Sequence, residues 1–574
     1  MGESRDTPVE DCARFIYHEF LRYNDDFGRI TRRAGGHFIS SDWMDGQSDL
    51  VERMGLWEKS LAGTSTSLHE MLGPRVKNRQ LWHRIKEYYG SRIESFADAE
   101  FARTFFTSIT RRIFGTVGVD PLIEFVLELE PGGLLESGLN RRVYVNWGSL
   151  ERMFERVLED FSFEIPYADR ARCVAYVCDQ TKRLSRQHYR GPDTILRAEL
   201  MVPVFYQSTR AFLVGKIEGE EWTAPFAIVI ENIGGRIKVE AVLMSEDDMS
   251  ILFGFTRSYF FVDLDNVGGA VHYLRALMPD KPIDEMYTVL GRIRQGKTER
   301  YRDLARRLKR TQDVFCHAPG DKGMVMVVFT LPSHHLVFKV IRDRFGYSKT
   351  VSRQQVLDSY RLVSRHDRVG RLIDTQAYRN IQLPVSRFSP DLLDELVNAA
   401  SRTVRIVGDR LVIDLVYMER KLRPLNLYLT EASRVRAEAA VKDYGQSIKE
   451  LAMTNIFPGD MLLKNFGVTR HGRVIFYDFD EICLMNQCHF RELPTARSDE
   501  QELASETWFY VADNDVFPEQ FEHFLGMSAG LKALFMEHHG DLLSAAYWRD
   551  VQEKLETSGA LPFSPYARGS RAQA

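Results

Sequence analysis

The sequence predicts an α+β chain in two parts. A mainly helical part covers residues 1–310 and carries a β-rich insert near 223–263, and a two-lobed part covers 311–574. Three observations carry this prediction. Apolar residues recur at helical spacing through much of the first two hundred residues, the texture turns β-rich near residue 223, and from 311 onward strand-like runs give way to helical patterns. A chain of 574 residues is also too long for one core, so two to four domains are expected.

In order along the chain, "AEFARTFFTSITRRIFG" places Phe101, Phe105, Ile109 and Ile113 four apart, with Gly115 as a C-cap. "LERMFERVLEDF" has the same kind of stripe, and both read as core. In "FAIVIENIGGRIKVEAVLM", Gly234-Gly235 between two apolar runs predicts a β-hairpin. After the break "MPDKP" comes the charged helix "ERYRDLARRLKR", whose cluster of Arg306, Arg307, Lys309 and Arg310 reads as a solvated face. The boundary is placed just after it, around residue 311.

Composition excludes several classes. Hydrophobic residues at 44%, charged residues at 27% and a formal charge of −4 describe an ordinary globular chain with no field to recruit nucleic acid or an anionic membrane. No apolar run approaches the roughly 20 residues that span a bilayer. "MGESRDTPVEDC" has neither a basic-then-apolar leader nor the Ser or Thr of a myristoylation signal at Asp6, so a cytoplasmic location is expected. The Cys173/Cys178 and Cys483/Cys488 spacings are not those of a zinc knuckle, and all six cysteines read as reduced thiols.

The chemistry concentrates in "FPGDMLLKNFGVTRHGRVIFYDFDE". Asp460 stands five residues before Asn465, and Asp478 thirteen further on, the D-x-x-x-x-N…D order of kinases. A carboxylate there orients the hydroxyl that attacks phosphate, while an amide oxygen and a second carboxylate hold Mg²⁺. Asp460 is then the base, Asn465 and Asp478 the metal ligands, and Lys464 a group within reach of the γ-phosphate. "GVTRHGRVIFYD" supplies the intervening hairpin, turning at His471-Gly472. Upstream, Gly320 and Gly323 flank Asp321-Lys322 between strand-like segments, as a phosphate loop would. Lys339 lies in the apolar run "HLVFKVI", and "RLVIDLVYMERKLRPLNLYL" resembles the strand leading to the adenine hinge around Tyr417 to Glu419.

Several features depart from ordinary protein kinases. The loop is G-x-x-G, Pro458-Gly459 replaces His-Arg before the catalytic Asp, and Asp480 replaces the glycine of D-F-G. No glutamate lies between Lys339 and Glu395, so the partner of the strand lysine is sought among Asp358, Asp367 and Asp374. The D-F-D triplet also suggests an aspartyl-nucleophile phosphatase. Such enzymes, however, place D-x-D early and continue through alternating strands and helices, whereas "EQFEHFLG" and "LKALFMEHH" after Asp478 read as helix.

With these motifs in hand, the chain resembles the bacterial isocitrate dehydrogenase kinase/phosphatase family over essentially its full length. The carrying stretches are "APGDKGMVMVVFTLP", "LVFKVIRDRFG", "YMERKLRPLNLYL" and "TNIFPGDMLLKNFGVTRHGRVIFYDFDEI". The resemblance implies a helical regulatory domain followed by a bilobal protein-kinase-like domain. It implies ATP-dependent phosphorylation of a serine of isocitrate dehydrogenase, which inactivates that enzyme, and removal of the phosphate, which restores it. Carbon flow would thereby divide between the citric acid cycle and the glyoxylate bypass. It places ATP contacts at Ala318, Pro319, Gly320, Asp321, Lys322, Gly323, Met324 and Lys339, and a role tied to phosphatase activity at Asp374. Mg²⁺ (or Mn²⁺ in its place), AMP as allosteric effector acting at the regulatory domain's junction, and ADP or ATP for the phosphatase reaction are also implied, and a homodimer is allowed. Two competitors share the kinase motifs: a small-molecule phosphotransferase of the aminoglycoside-kinase type, and a non-catalytic scaffold. The presence of Lys339, Asp460, Asn465 and Asp478 together argues against the second.

Overall fold

The computed structural model describes residues 7–41, 43–127, 139–189, 194–207, 209–254, 260–346, 351–366, 369–494, 509–512 and 514–558. They fall into two compact units, one within Met1–Thr311 and one within Gln312–Ser564. Asp367 lies outside the described residues.

The first unit opens with helices α1 (Thr7–Ser40), α2 (Trp43–Leu72), α3 (Arg79–Ile93) and α4 (Ala99–Phe114). The every-four stripe of α4 is fully inside: Phe101, Phe105, Ile109 and Ile113 join Phe20, Tyr23 and Trp57 in one aromatic-rich core. Gly115 ends α4 at φ +62, and its N–H donates to the Arg111 carbonyl, the left-handed cap that glycine allows without strain.

A six-stranded antiparallel sheet follows, built from β1 (Arg141–Val145), β2 (Ile195–Met201), β3 (Phe205–Gln207), β4 (Arg210–Gly219), β5 (Thr223–Ile233) and β6 (Arg236–Leu243). Helices α5 (Leu150–Asp160) and α6 (Arg170–His188) pack on one face with Leu213, Ile228 and Val242. Helices α7 (Glu246–Leu252), α8 (Val267–Leu277) and α9 (Ile283–Val289) pack on the other with Val214, Val229 and Leu243. Successive residues of the central strands thus serve opposite cores, as the strand period of two requires. The β5–β6 hairpin turns on Gly234 and Gly235 at φ +59 and +76, the two-residue turn expected there.

This sheet begins some eighty residues before the β-rich insert that the sequence texture marks. Strands β1, β2 and β4 are interrupted by charges that hide their alternation. Those charges pair across strands, Arg141 with Glu199 at 2.7 Å, Arg197 with Glu218 at 2.5 Å and Lys216 with Glu199 at 3.8 Å. The unit closes with α10 (Ile293–Arg310).

The second unit has a strand lobe and a helix lobe. The strand lobe is an antiparallel sheet of β7 (Cys316–His317), β8 (Met326–Thr330), β9 (Leu336–Ile341), β10 (Thr375–Pro384), β11 (Val404–Val407) and β12 (Arg410–Arg420), in the order β10-β12-β9-β8-β7 with β11 on β12. Helix α11 (Arg353–His366) joins β9 toward β10, and α12 (Pro390–Ala399) lies between β10 and β11. The helix lobe contains α13 (Leu425–Glu431), α14 (Arg434–Met453) and the helices Ala529–His539 and Ala545–Ser558. Short strands line its upper edge: β13 (Arg423–Pro424), β14 (Ile456–Phe457), β15 (Phe466–Val468), β16 (Val474–Phe476) and β17 (Cys483–Leu484). Among the described residues no helix is long and apolar enough to cross a membrane.

Candidate active site

The hairpin β7–β8 carries the loop 318–325, whose shape depends on two glycines. Gly320 sits at φ +119, a conformation rarely open to other residues. A Cβ on Gly323 would lie 2.5 Å from the Met326 carbonyl oxygen. Glu395 of α12 anchors the loop. Its carboxylate accepts from His317 Nε2 at 2.6 Å and Lys322 Nζ at 3.0 Å and pairs with Arg342, whose Nε donates to the Gly323 carbonyl at 2.9 Å. Burial alone would raise the Glu395 carboxyl, but its bonds to Arg342, Lys322 and His317 outweigh that and hold it at about 2.

Below the loop, β14 ends at Phe457 and the chain turns through Gly459 at φ +76, where a Cβ would strike the Glu481 carbonyl oxygen. That turn presents Asp460, whose Oδ1 accepts from the Leu462 N–H at 3.1 Å. Asn465 closes a 3₁₀ turn over Leu463–Asn465. Its amide nitrogen donates to the Asp460 carbonyl at 3.2 Å, which leaves the amide oxygen as an acceptor. The predicted hairpin forms as β15 and β16, with Gly472 at φ +75 in its turn. Just past β16, the Tyr477 N–H donates to the Asn465 carbonyl at 3.0 Å, so Asp478 is held one residue from a bond to Asn465.

These elements surround one cavity of about 470 Å³. It is lined by the loop residues Ala318, Pro319, Gly320, Asp321, Lys322, Gly323 and Met324, by Lys339 and Glu419, and by Asp460, Lys464, Asn465 and Asp478. The Lys464 ammonium is 3.8 Å from the Asp321 carboxylate of the loop. Also lining it are Arg342, Tyr360, Glu395, Asp480 and the segment containing Arg420, Leu422, Pro424 and Asn426, none of which sequence reasoning singled out as site residues.

Three expectations need correction. Tyr417 and Met418 do not line this cavity. They stand opposite Lys339 and Phe338 in the β9–β12 ladder, buried in the sheet, and the wall expected of the hinge is formed by Arg420 at the strand end and Leu422, Pro424 and Asn426 beyond it. Asp374 does not line it either. Its segment runs parallel to β16, with Leu372 beside Phe476 and the Ile373 N–H donating to the Phe476 carbonyl at 3.0 Å. The lysine's acidic partner is the third. Asp358 is exposed and pairs with Arg361 at 2.6 Å, whereas Lys339 Nζ lies 2.8 Å from Glu419 Oε2 and donates to the Tyr477 carbonyl at 2.8 Å. Burial pushes the Glu419 carboxyl up, and Lys339 is the main group opposing that shift.

The aspartyl-nucleophile reading of D-F-D has no support in this topology. Among the described residues, the stretch after Asp478 contributes short strands and helices to the helix lobe, not an alternating β/α domain. A strand lobe with a glycine loop and a buried lysine, above a loop carrying Asp460, Asn465 and Asp478, is instead the layout of a kinase.

Comparison with known proteins agrees. The family model for the isocitrate dehydrogenase kinase/phosphatase (AceK) kinase domain matches residues 313–568, and that for the regulatory domain of the same family matches 13–312. The isocitrate dehydrogenase kinase/phosphatase of Xanthomonas campestris pv. campestris (strain 8004) is 44% identical over 97% of this chain and 96% of its own length. That of Xanthomonas euvesicatoria pv. vesicatoria (strain 85-10) is 43% identical over 97% of each chain. That of Anaeromyxobacter sp. (strain Fw109-5) is 40% identical over 100% of this chain and 99% of its own. The chain belongs to the isocitrate dehydrogenase kinase/phosphatase family.

Proposed function

We propose that this cavity phosphorylates a serine of isocitrate dehydrogenase with ATP, and that the same cavity removes the phosphate again, so that the protein sets the division of carbon between the citric acid cycle and the glyoxylate bypass. The observation that carries the reading is the convergence of Lys339, Asp460, Asn465 and Asp478 on one cavity roofed by a glycine loop. The family relationship supports the protein substrate over a small-molecule acceptor.

The residues present fit a magnesium nucleotide. Asn465 and Asp478 offer the hard oxygen donors that Mg²⁺ takes, and the space a Cβ would fill at Gly323 keeps the loop backbone close to its neighbour. When bound, Mg²⁺ supplies neutralisation of the phosphate oxygens. Lys339 and the N–H groups of the 318–324 loop align the phosphates, and Lys464 approaches them from the helix lobe. Asp460 accepts the proton of the attacking serine hydroxyl. In the reverse direction Asp460, which lines the cavity, orients water. AMP as an effector, Mn²⁺ as a substitute metal, a nucleotide requirement for the phosphatase reaction, a homodimer and a cytoplasmic location belong to the same proposal. So does a division of labour in which residues 1–310 regulate and 311–574 catalyse.

The test is direct. Incubated with ATP and Mg²⁺, the protein is expected to inactivate isocitrate dehydrogenase and load it with phosphate, and to reverse both when ADP replaces ATP. If ATP is consumed with aminoglycosides or other small acceptors while the dehydrogenase stays unmodified, the substrate assignment fails. The loop makes a second prediction. In Gly323→Ala the new Cβ meets the Met326 carbonyl and displaces the loop. KM for ATP is expected to rise about tenfold, a loss of about 1.4 kcal/mol, with a smaller change in kcat. Steady-state kinetics against ATP checks it.

A further inference from the structure

In protein kinases the strand lysine pairs with a glutamate of the following helix, and the position of that helix controls activity. Helix α11 offers no such group here. Its inward residues are Val356, Tyr360 and Val363, and Asp358 faces solvent, paired with Arg361. Tyr360 stands where the acid would be expected, with its ring centroid 4.1 Å from that of Tyr417 and 5.2 Å from that of Phe479.

We propose that Glu419 is the positioning residue for Lys339 and replaces the helix-borne acid, so that readiness for phosphoryl transfer is built into the sheet and does not depend on where α11 stands. Strands β9 and β12 are hydrogen-bonded neighbours with Lys339 opposite Tyr417, which puts Glu419 on the same face as the diagonal neighbour of Lys339. Both side chains are buried, Lys339 at 7% and Glu419 at 1% exposure. A charge so buried persists only with a partner, and here each supplies the other's. The lysine's remaining contact, to the Tyr477 carbonyl, ties the pair to the residue preceding Asp478. Glu419 therefore acts through Lys339, which aligns the phosphates, and touches no acceptor group itself.

The inference rests on the nucleotide reading of Lys339 given above, and a double-mutant cycle in the full chain separates the two. Lys339→Met, Glu419→Gln and the double variant are compared in phosphoryl transfer to isocitrate dehydrogenase and in thermal melting. Each single change is expected to lower kcat about 100-fold, with the Glu419→Gln loss in kcat and not in KM. The double variant should be no slower than Lys339→Met alone. Lys339→Met should melt lower than wild type, and adding Glu419→Gln should recover part of that fall by removing a stranded buried carboxylate. Losses that multiply in the double variant, or a Glu419→Gln protein with full activity, overturn the inference while leaving Lys339 in place. Full activity in Lys339→Met overturns the nucleotide reading itself. If Glu419→Gln alone does not fold, the melting comparison between Lys339→Met and the double variant decides, a further fall on adding Glu419→Gln counting against the pair. Asp358→Ala, at the exposed face of α11, should leave kcat unchanged, and a loss matching that of Glu419→Gln would return the role to the helix.

Discussion

Asp478→Ala is expected to abolish phosphorylation and dephosphorylation of isocitrate dehydrogenase together, each by about 10³-fold or more, the equivalent of about 4 kcal/mol of transition-state stabilisation. The reason lies in how few groups carry the charge. Phosphoryl transfer asks little covalent chemistry of a protein, so the barrier is lowered mainly by positioning and neutralisation. Asp478 is the carboxylate placed beside Asn465 at the cavity floor, held there by the bond between the Tyr477 N–H and the Asn465 carbonyl. Alanine leaves that backbone bond and removes the charge, so the fold should persist while the metal is lost. Incorporation and release of labelled phosphate measure the two directions separately, and metal-free ATP titration verifies that the cavity remains. If phosphate release survives in Asp478→Ala, the two reactions do not share a metal site, and the one-cavity proposal falls.

How much of this was legible in the sequence depends on how local each feature is. Asp460, Asn465 and Asp478 lie within nineteen residues and are joined by one turn and one hairpin, so their spacing nearly determines their geometry. Lys339 was visible because a charged residue inside "HLVFKVI" needs a reason to be there. The hairpin on Gly234-Gly235 and the cap at Gly115 were visible because their φ values favour glycine. Glu419 was read as part of the hinge, and its pairing with Lys339 was missed. It stands eighty residues from the lysine, and the contact exists only because β12 inserts beside β9, ahead of β10. No spacing rule encodes that adjacency, and the window where ordinary kinases carry the acid holds aspartates but no glutamate. Tyr417 and Met418 were misjudged by two to five residues at a strand end, where the last paired residue and the first lining residue look alike in sequence. The early strands of the first unit were hidden by ion-paired charges whose partners lie on other strands. Glu395 is likewise hidden, because its three partners come from a strand end, a loop and the residue after β9.

Arg371→Leu is expected to cost the second unit about 3–5 kcal/mol, although the side chain does not line the cavity. Arg371 is 2% exposed. Its guanidinium grips both oxygens of Asp443 at 2.7 and 2.8 Å, reaches Glu450 on the same helix α14, and donates to the Val474 carbonyl at 2.8 Å. Its own carbonyl accepts from the Phe476 N–H at 2.8 Å. One residue therefore ties α14, β16 and the segment leading to Asp374, so it fixes where both Asp374 and Asp478 fall. Leucine matches the apolar part of the volume but takes the guanidinium away from buried Glu450 and half-buried Asp443, the costly way to break a buried ionic cluster. For a unit of this size the loss corresponds to a drop of about 10 °C in melting temperature. The pH dependence gives a second check. Burial alone would raise the Asp443 carboxyl, but Arg371 outweighs it and holds the group below its usual value of 3.8. A depressed carboxyl contributes stability that is fully present above its unfolded pKa and lost as pH falls through its folded pKa. Wild type should therefore lose stability on acidification below about pH 4, and Arg371→Leu should lose less over the same interval, since the contact that depressed Asp443 is gone. Thermal melts at neutral pH and at stepped acidic pH read both effects. A variant that melts with wild type at neutral pH would mean that the Asp443–Arg371–Glu450 cluster does not hold β16 in place.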